Sequence, residues 1–229
     1  MRTTKLKIFK HGKDTGYIGR KPLWWFDKNI PNSFSIFDLD NFYQDTYFKK
    51  DHVPPELVDP IVDLILENCS KFTNNKIRSA VEFGCGGGWF TKSLMDHGID
   101  VIGIEGTSVG INKCLERGIP KSHLLKIDLR LPINLGRKFD IALCSEVAEH
   151  IEPPFAATLI QNIVNHSDIV WFSSEEPQTN RDHYHHSNEQ PEIYWKNIFQ
   201  FFGYKMYKLP KKITDFTFLR GKQIFYSSK

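Results

Sequence analysis

Residues 79–90 constrain the fold of this chain more than any other stretch, because an apolar run there leads directly into three alternating glycines. The run SAVEF is typical of a buried β-strand, Gly84, Gly86 and Gly88 follow it, and a helical pattern begins near Trp89. Glycine adopts positive φ and lets the backbone approach a bound group, while the first N–H groups of a helix offer hydrogen-bond donors. The stretch therefore predicts a ligand-binding turn. A dinucleotide fingerprint would need glycine where Trp89 stands, and no G-x-x-x-x-G-K-[ST] occurs, so NAD and ATP are disfavoured.

Strand and helix patterns alternate after residue 80, which favours a parallel sheet covered by helices on both faces. The last two strands are expected to form an antiparallel hairpin. The predicted fold is thus an α/β, Rossmann-like sheet of seven mostly parallel strands with a C-terminal antiparallel hairpin. The predicted strands are 80–84, 100–105, 123–128, 139–144, 168–173, 204–209 and 216–227, and the predicted helices are 56–70, 89–97, 108–117, 154–165 and 191–202.

The first 52 residues differ in composition from the rest of the chain, because glycines and prolines there alternate with many aromatic side chains. Disordered segments are poor in aromatic residues, so we predict an ordered arm over residues 1–52 that packs on a main domain, 53–229. The arm is either a packing element or a cover over the ligand. The chain, with 229 residues, is long enough to bury one sizeable core.

The charge and the cysteines indicate the setting in which the protein works. A formal net charge of +3 is too small to indicate nucleic acid, although the C-terminal segment is locally basic. The four cysteines form no C-x-x-C pair, and there is neither an apolar leader nor a stretch long enough to span a membrane. We therefore expect a cytoplasmic protein without a membrane span.

Acidic residues stand where ligands of parallel sheets are held, beyond the carboxyl ends of the strands. The predicted second strand ends in Glu105, whose carboxylate can accept hydrogen bonds from both hydroxyls of a ribose. The predicted third strand ends in Asp128, and Glu82 precedes the first glycine by two positions. The three glycines and these acids fall in register at one edge of the predicted sheet.

The segment Glu82-Phe83-Gly84-Cys85-Gly86-Gly87-Gly88 resembles the first motif of the class I S-adenosylmethionine (SAM) dependent methyltransferases. The resemblance implies SAM as the cofactor, with Glu82 at its methionine end and Asp128 at the adenine amino group. The cofactor-binding residues expected on this basis are Glu82, Gly84, Gly86, Gly88, Glu105, Asp128 and Ser145.

The predicted fourth strand leads into Ser145-Glu146-Val147-Ala148-Glu149-His150. If this segment is helical, Glu146, Glu149 and His150 share one face at the mouth of the site. Carboxylate oxygens and an imidazole suit Mg²⁺ or Mn²⁺. The E-x-x-E-H pattern is similar to the metal-binding segment of small-RNA 2′-O-methyltransferases and of some ubiquinone-biosynthesis O-methyltransferases. Many relatives have a similar segment without a metal, so the same acids are alternatively helix caps or cofactor contacts.

Three histidines within four residues, His183, His185 and His186, follow the predicted fifth strand and come to the same edge of the sheet. Such a loop can provide a further metal ligand or a general base. We predict a metal set of Glu146, Glu149, His150 and His186, with His150, His186 and Glu146 as catalytic residues. Residues 145–150 and 185–190 are together similar to bacterial methyltransferases associated with surface-glycan pathways.

These patterns lead to one main function and two alternatives. The main prediction is an O-methyltransferase acting on a hydroxyl or acidic oxygen of a sugar, glycan precursor or similar polar small molecule. The alternatives are a metal-dependent RNA 2′-O-methyltransferase and a SAM-binding protein without turnover. An apparent amine-methyltransferase motif, Glu152-Pro153-Pro154-Phe155, begins with Glu and stands too far beyond the fourth strand, so methylation of base amines is disfavoured.

Overall fold

The run that begins at Ser79 and leads into the glycines forms an interior strand of a seven-stranded sheet. The computed structural model describes residues 17–18, 21–22, 38–43, 48, 53–177, 185–210 and 222–227. The strands are β1 Ser79–Phe83, β2 Asp100–Glu105, β3 Leu124–Lys126, β4 Ile141–Ser145, β5 Ile169–Ser173, β6 Tyr204–Lys208 and β7 Gln223–Ser227. The helices are α1 Pro55–Cys69, α2 Trp89–Asp96, α3 Ser108–Glu116, α4 Ala156–His166 and α5 Glu192–Phe201.

The strand order is β3-β2-β1-β4-β5-β7-β6. The first five strands run parallel, and β7 pairs antiparallel with both β5 and β6. In β1, Val81 and Phe83 face one apolar layer while Ala80 faces the other. This two-residue alternation buries both faces of the sheet, as an α/β fold requires. The predicted fold class is therefore confirmed.

Helices cover both faces of this sheet. Helices α4 and α5 pack on one face through Leu159, Ile163 and Phe199, and α1 and α2 pack on the other. The predicted helix 154–165 begins instead with a 3₁₀ turn, Pro153–Phe155, before α4. Other 3₁₀ turns of the same length lie at Ser70–Phe72, Lys121–His123 and Ala148–His150.

The N-terminal residues that the structure describes are short elements. Tyr17–Ile18 pairs antiparallel with Lys21–Pro22, and Leu39–Phe42 forms one helical turn whose N-cap is Asp38. Most of the predicted arm lies outside the described residues, as does the part 211–221 of the predicted final strand. The division of the chain at residue 52 stays a prediction.

Candidate active site

The turn between β1 and α2 has the backbone conformation that its glycines suggested. Gly84 and Gly88 both have φ of +78°, a backbone conformation that residues with a side chain rarely adopt. A Cβ atom at Gly84 would lie 2.5 Å from Val147 Cγ2, whereas one at Gly86, where φ is +54°, would meet nothing within 4 Å. The turn is therefore packed against the protein at Gly84 and open at Gly86, where a ligand can approach the backbone.

Glu105 lies beside this turn, at the carboxyl end of β2. Its Oε2 accepts the Gly86 N–H at 3.0 Å, and its Oε1 accepts the backbone N–H and hydroxyl of Thr107 at 2.9 and 2.7 Å. Burial raises the pKa of this carboxyl group. Each carboxylate oxygen accepts about two hydrogen bonds, so Oε1 is already satisfied and Oε2 retains capacity for a ligand hydroxyl.

Glu82 lies on β1, two residues before the turn, and the residue is only 4% exposed. The Thr91 hydroxyl, from the first turn of α2, donates to Glu82 Oε2 at 2.5 Å. Burial raises the pKa of Glu82 to about 8, with a smaller contribution from the nearby Glu105. A positively charged ligand group beside this buried carboxyl would lower its pKa again, because an opposite charge favours the ionised form.

Asp128 lies beyond its strand, since β3 ends at Lys126 and not at residue 128 as predicted. The physical reason is a turn in which Asp128 Oδ1 accepts the backbone N–H of Arg130 at 2.9 Å. The Arg130 guanidinium also binds both Asp128 oxygens and reaches Glu152 Oε1 at 3.2 Å. Sequence reasoning missed Arg130, although its place two residues after Asp128 was a local signal.

The segment after β4 does not form the helix that would place Glu146 with Glu149 and His150. Glu146 has φ of +55°, unlike any other non-glycine residue in the described ranges, and only the 3₁₀ turn Ala148–His150 follows. Glu146 Oε1 accepts a hydrogen bond from the Lys222 ammonium group at 2.5 Å, and the same ammonium group also donates to the Ser173 hydroxyl. Burial is the largest single influence and acts to raise the pKa of Glu146, but the Lys222 charge and the hydrogen bonds to Lys222 and Ser173 together lower the pKa.

Three of the four predicted metal ligands do meet. One ligand atom from each of Glu149, His150 and His186 lies within 4.8 Å of the others. Glu149 is 1% exposed, and its Oε2 has no hydrogen-bond partner in the part of the chain that the structure describes. Burial, followed by the charge of Glu146, raises the pKa of Glu149 well above its usual value. A cation held here would compensate this buried carboxyl group.

The histidine loop is held against the 3₁₀ turn by backbone hydrogen bonds. The N–H groups of Ser187 and Asn188 both donate to the Glu149 carbonyl at 2.9 Å. His186 Nδ1 lies 3.0 Å from Glu189 Oε1. Because a carboxylate oxygen accepts a hydrogen bond from the ring, Nδ1 carries a proton, and in the neutral imidazole Nε2 is then the nitrogen with the lone pair. His183, also in the predicted loop, lies outside the described residues.

Two further side chains reach this edge from distant parts of the sequence. Lys222, at the start of β7, is 6% exposed and pairs with Glu146, and Tyr43 places its hydroxyl 3.2 Å from His150 Nδ1. Neither was predicted, because 76 and 107 residues respectively separate them from their partners. The Ser145 hydroxyl is buried without a partner among the described atoms. The edge thus gathers unsatisfied acceptors, paired charges and two imidazoles around the glycine turn.

None of the helices in the described ranges combines the length and apolar character needed to cross a bilayer.

Two curated proteins with the same name are similar to part of this chain. The ubiquinone biosynthesis O-methyltransferase of Methylococcus capsulatus is 32% identical over 104 residues, which are 42% of this chain and 43% of that protein. The enzyme of the same name from Photorhabdus laumondii is 28% identical over 127 residues, covering 53% and 52%. The chain thus spans about half the length of these relatives.

Solved structures resemble the fold. Streptomyces venezuelae DesVI superposes with a TM-score of 0.61 at 14% identity, covering 74% of this chain and 90% of that one. The sugar N-methyltransferase KedS8 from Streptoalloteichus superposes with a TM-score of 0.59 at 15% sequence identity, and the match covers 87% of this chain and 99% of KedS8. Magnesium protoporphyrin IX methyltransferase from Synechocystis, solved with bound SAM, superposes with a TM-score of 0.56 at 18% sequence identity. The match covers 84% of this chain and 93% of that enzyme.

A family model described as a methyltransferase domain matches residues 52–208, which is more than half of the chain. This range includes the glycine turn, Glu105, Asp128 and the cluster of Glu149, His150 and His186. The chain therefore belongs to the methyltransferase-domain family, among the class I SAM-dependent methyltransferases.

Proposed function

We propose that this protein transfers a methyl group from SAM to a hydroxyl or acidic oxygen of a sugar, a glycan precursor or a similar polar small molecule. The observation that carries the proposal is the meeting of Glu149, His150 and His186 at the same edge of the sheet as the glycine turn. The curated relatives are named O-methyltransferases, which supports oxygen as the acceptor atom. The motif similarity of residues 145–150 and 185–190 to glycan-pathway enzymes supports the acceptor class.

The cofactor site we propose consists of the glycine turn and the groups around it. Glu82 lies toward the ammonium group of the methionine end, Glu105 accepts a ribose hydroxyl and Asp128 lies toward the adenine. The open space at Gly86 fits a close ligand approach, and the unpartnered Ser145 hydroxyl offers a further polar contact. The proposed set is Glu82, Gly84, Gly86, Gly88, Glu105, Asp128 and Ser145.

The transfer requires an acceptor oxygen held about 3 Å from the methyl carbon and relieved of its proton. Bound SAM supplies an electrophilic methyl group. His186 presents Nε2 as a proton acceptor because Glu189 holds the proton of Nδ1, and His150 is the second candidate base. The imidazole that accepts the proton becomes a cation, which the nearby carboxyl group of Glu149 stabilises.

A divalent cation fits the same three side chains. The buried Glu149 Oε2 has no hydrogen-bond partner in the described ranges, and the donor set of one carboxylate and two imidazoles suits Mn²⁺ or another first-row transition metal better than Mg²⁺, which prefers oxygen ligands. Such an ion would lower the pKa of an acceptor hydroxyl and orient it. Glu146 is not part of this three-residue set, because its carboxylate pairs with Lys222.

The function is tested by measuring S-adenosylhomocysteine (SAH) release with a panel of sugars and nucleotide-sugars. His150→Ala should abolish turnover but leave SAH affinity unchanged, whereas His97→Ala, a change at the far end of α2, should affect neither. Chelation by EDTA separates the two mechanisms, because only the metal-dependent one loses turnover and regains it with Mn²⁺. A lack of SAH release with every acceptor would contradict the proposal.

The three-residue cluster also favours the RNA alternative, since metal-dependent RNA 2′-O-methyltransferases use a similar segment. This second candidate predicts binding of short RNA that strengthens at low salt, because phosphate contacts dominate such affinity. If labelled RNA does not bind at low salt, this alternative fails.

A further inference from the structure

The segment Asp38–Tyr43, from the region ahead of α1, reaches the centre of the candidate active site. Asp38 caps its helical turn by accepting the Asp40 N–H at 3.0 Å. At the end of the turn, Tyr43 is 8% exposed and its hydroxyl oxygen lies 3.2 Å from His150 Nδ1. A residue 107 positions away in sequence thus contacts the imidazole that we place in the methyl-transfer step.

The segment is attached at its other end to the proposed cofactor side of the site. Asp40 Oδ1 accepts the Ser108 N–H at the start of α3, and Asp40 Oδ2 accepts the Lys126 ammonium at the end of β3, both at 2.5 Å. The Leu39 side chain packs so closely on Gly106 that a Cβ there would lie 2.6 Å from Leu39 Cδ1. The segment therefore spans the carboxyl ends of β2, β3 and β4.

Two oxygens meet the same nitrogen of His150. The His185 carbonyl oxygen is 3.2 Å from Nδ1, as is the Tyr43 hydroxyl oxygen. A carbonyl has no proton to donate, so both contacts are satisfied only if Nδ1–H donates to them. In the neutral imidazole, His150 Nε2 is then the nitrogen with the lone pair, which both versions of the proposed chemistry require.

Ring packing adds to these hydrogen bonds. The Tyr43 ring lies 5.9 Å from the His150 ring at 71°, and 5.3 Å from the His185 ring at 31°. Phe42 contacts the His185 ring edge-on at 5.3 Å. These contacts fix the His185 backbone and the His150 ring relative to each other, because aromatic pairs favour such tilted and edge-on geometries.

We propose that Tyr43 is a positioning residue for His150. Its hydroxyl oxygen shares the Nδ1 proton with the His185 carbonyl and so holds the ring with Nε2 toward Glu149 and His186. The inference rests on the proposed function for its catalytic consequence, but not for its geometry. Partners of a site histidine that bind its second nitrogen fix its tautomer and orientation.

The test is Tyr43→Phe, which keeps the ring and removes only the hydroxyl group. Two-bond ¹⁵N–¹H spectra of the labelled protein should show His150 with an unprotonated Nε2 in the native protein. In the variant, the two ring-nitrogen shifts should move toward each other, because the Nδ1–H group loses the Tyr43 hydroxyl as an acceptor. Turnover should fall about tenfold, with SAH affinity unchanged.

A matched control is Tyr204→Phe, which removes a buried hydroxyl that donates to the carbonyls of Val164 and Ser167. It should leave the His150 spectrum and turnover unchanged, although it lowers stability.

If Tyr43→Phe fails to fold, Asp40→Asn offers a second route, because weakening the attachment of the segment should shift the same resonances. Unchanged His150 resonances in the folded Tyr43→Phe protein would overturn the inference. The spectra need no acceptor, so failure of the proposed methyl transfer remains separable from failure of this inference.

Discussion

At the residue scale, Glu105 joins two tasks that sequence reasoning had treated separately. The glycine turn and the acidic strand end were each predictable because each is a local pattern within its own strand–turn–helix unit. Their direct bond, from the Gly86 N–H to Glu105 Oε2, was not predictable from spacing alone. Loss of this carboxylate should therefore weaken the cofactor site both by removing a ligand contact and by loosening the turn.

We expect Glu105→Ala to weaken SAH binding about 100-fold, because hydrogen bonds to charged groups contribute most when buried. The measurement is isothermal titration calorimetry. Glu116→Ala provides the matched control, since Glu116 lies on the exposed end of α3 and bonds only Lys113 in the described structure. Equal affinities for the native protein and Glu105→Ala would exclude Glu105 as a ribose ligand.

The metal set also makes a residue-scale prediction that separates the structure from the sequence pattern. Glu149→Gln should lower Mn²⁺ affinity at least about tenfold, measured by electron paramagnetic resonance of free Mn²⁺. Glu146→Gln should lower it far less, because the Glu146 carboxylate bonds Lys222. A larger loss in Glu146→Gln than in Glu149→Gln would restore the helical arrangement that the E-x-x-E-H spacing predicts.

At the element scale, local patterns placed most strands and helices within a few residues, whereas non-local contacts decided the differences. The positive φ of Glu146 accompanies an ion pair with Lys222 from β7, which no spacing within residues 145–150 could reveal. The turn at Asp128 is held by Arg130, which also bonds Glu152, 22 residues further along the chain. The site was predictable where one element determines it, and not where two distant elements meet.

The turn between β1 and α2 yields a stability prediction. Gly88→Ala would combine a left-handed φ with a Cβ 2.5 Å from Ile119 Cδ1 and 2.8 Å from Cys114 Sγ. We expect it to lower the free energy of unfolding by about 3 kcal/mol, measured by urea denaturation.

Gly98→Ala is the control for this clash, because Gly98 has nearly the same φ, +77°, and a Cβ there would meet nothing within 4 Å. It should cost about 1 kcal/mol. Equal losses in the two variants would show that packing against Ile119 and Cys114 does not constrain the turn.

At the scale of the whole molecule, buried carboxyl groups link stability to pH. The pKa of Glu82 in the folded protein is about 8, above its usual 4.5, and burial also raises the pKa values of Glu105 and Glu149. The folded protein therefore keeps protons that the unfolded chain releases. Stability from this source is complete at acidic pH and is lost as the pH rises through about 8.

We expect Glu82→Gln, which is neutral at every pH, to become progressively more stable than the native protein as the pH rises from about 5 to about 8. Urea denaturation at several pH values without cofactor measures this difference. A difference that stays constant or shrinks with rising pH would mean that Glu82 is ionised in the folded protein.

The proposed methyl transfer requires one arrangement, in which the glycine turn and Glu105 hold the cofactor while Glu149, His150 and His186 face the acceptor. A crystal structure with SAH and Mn²⁺, recorded at the manganese absorption edge, tests this most directly. We predict SAH density along residues 84–88 with its ribose on Glu105, and an anomalous peak bonded to Glu149 and the Nε2 atoms of His150 and His186. SAH bound elsewhere, or absent at saturating concentration, would contradict it.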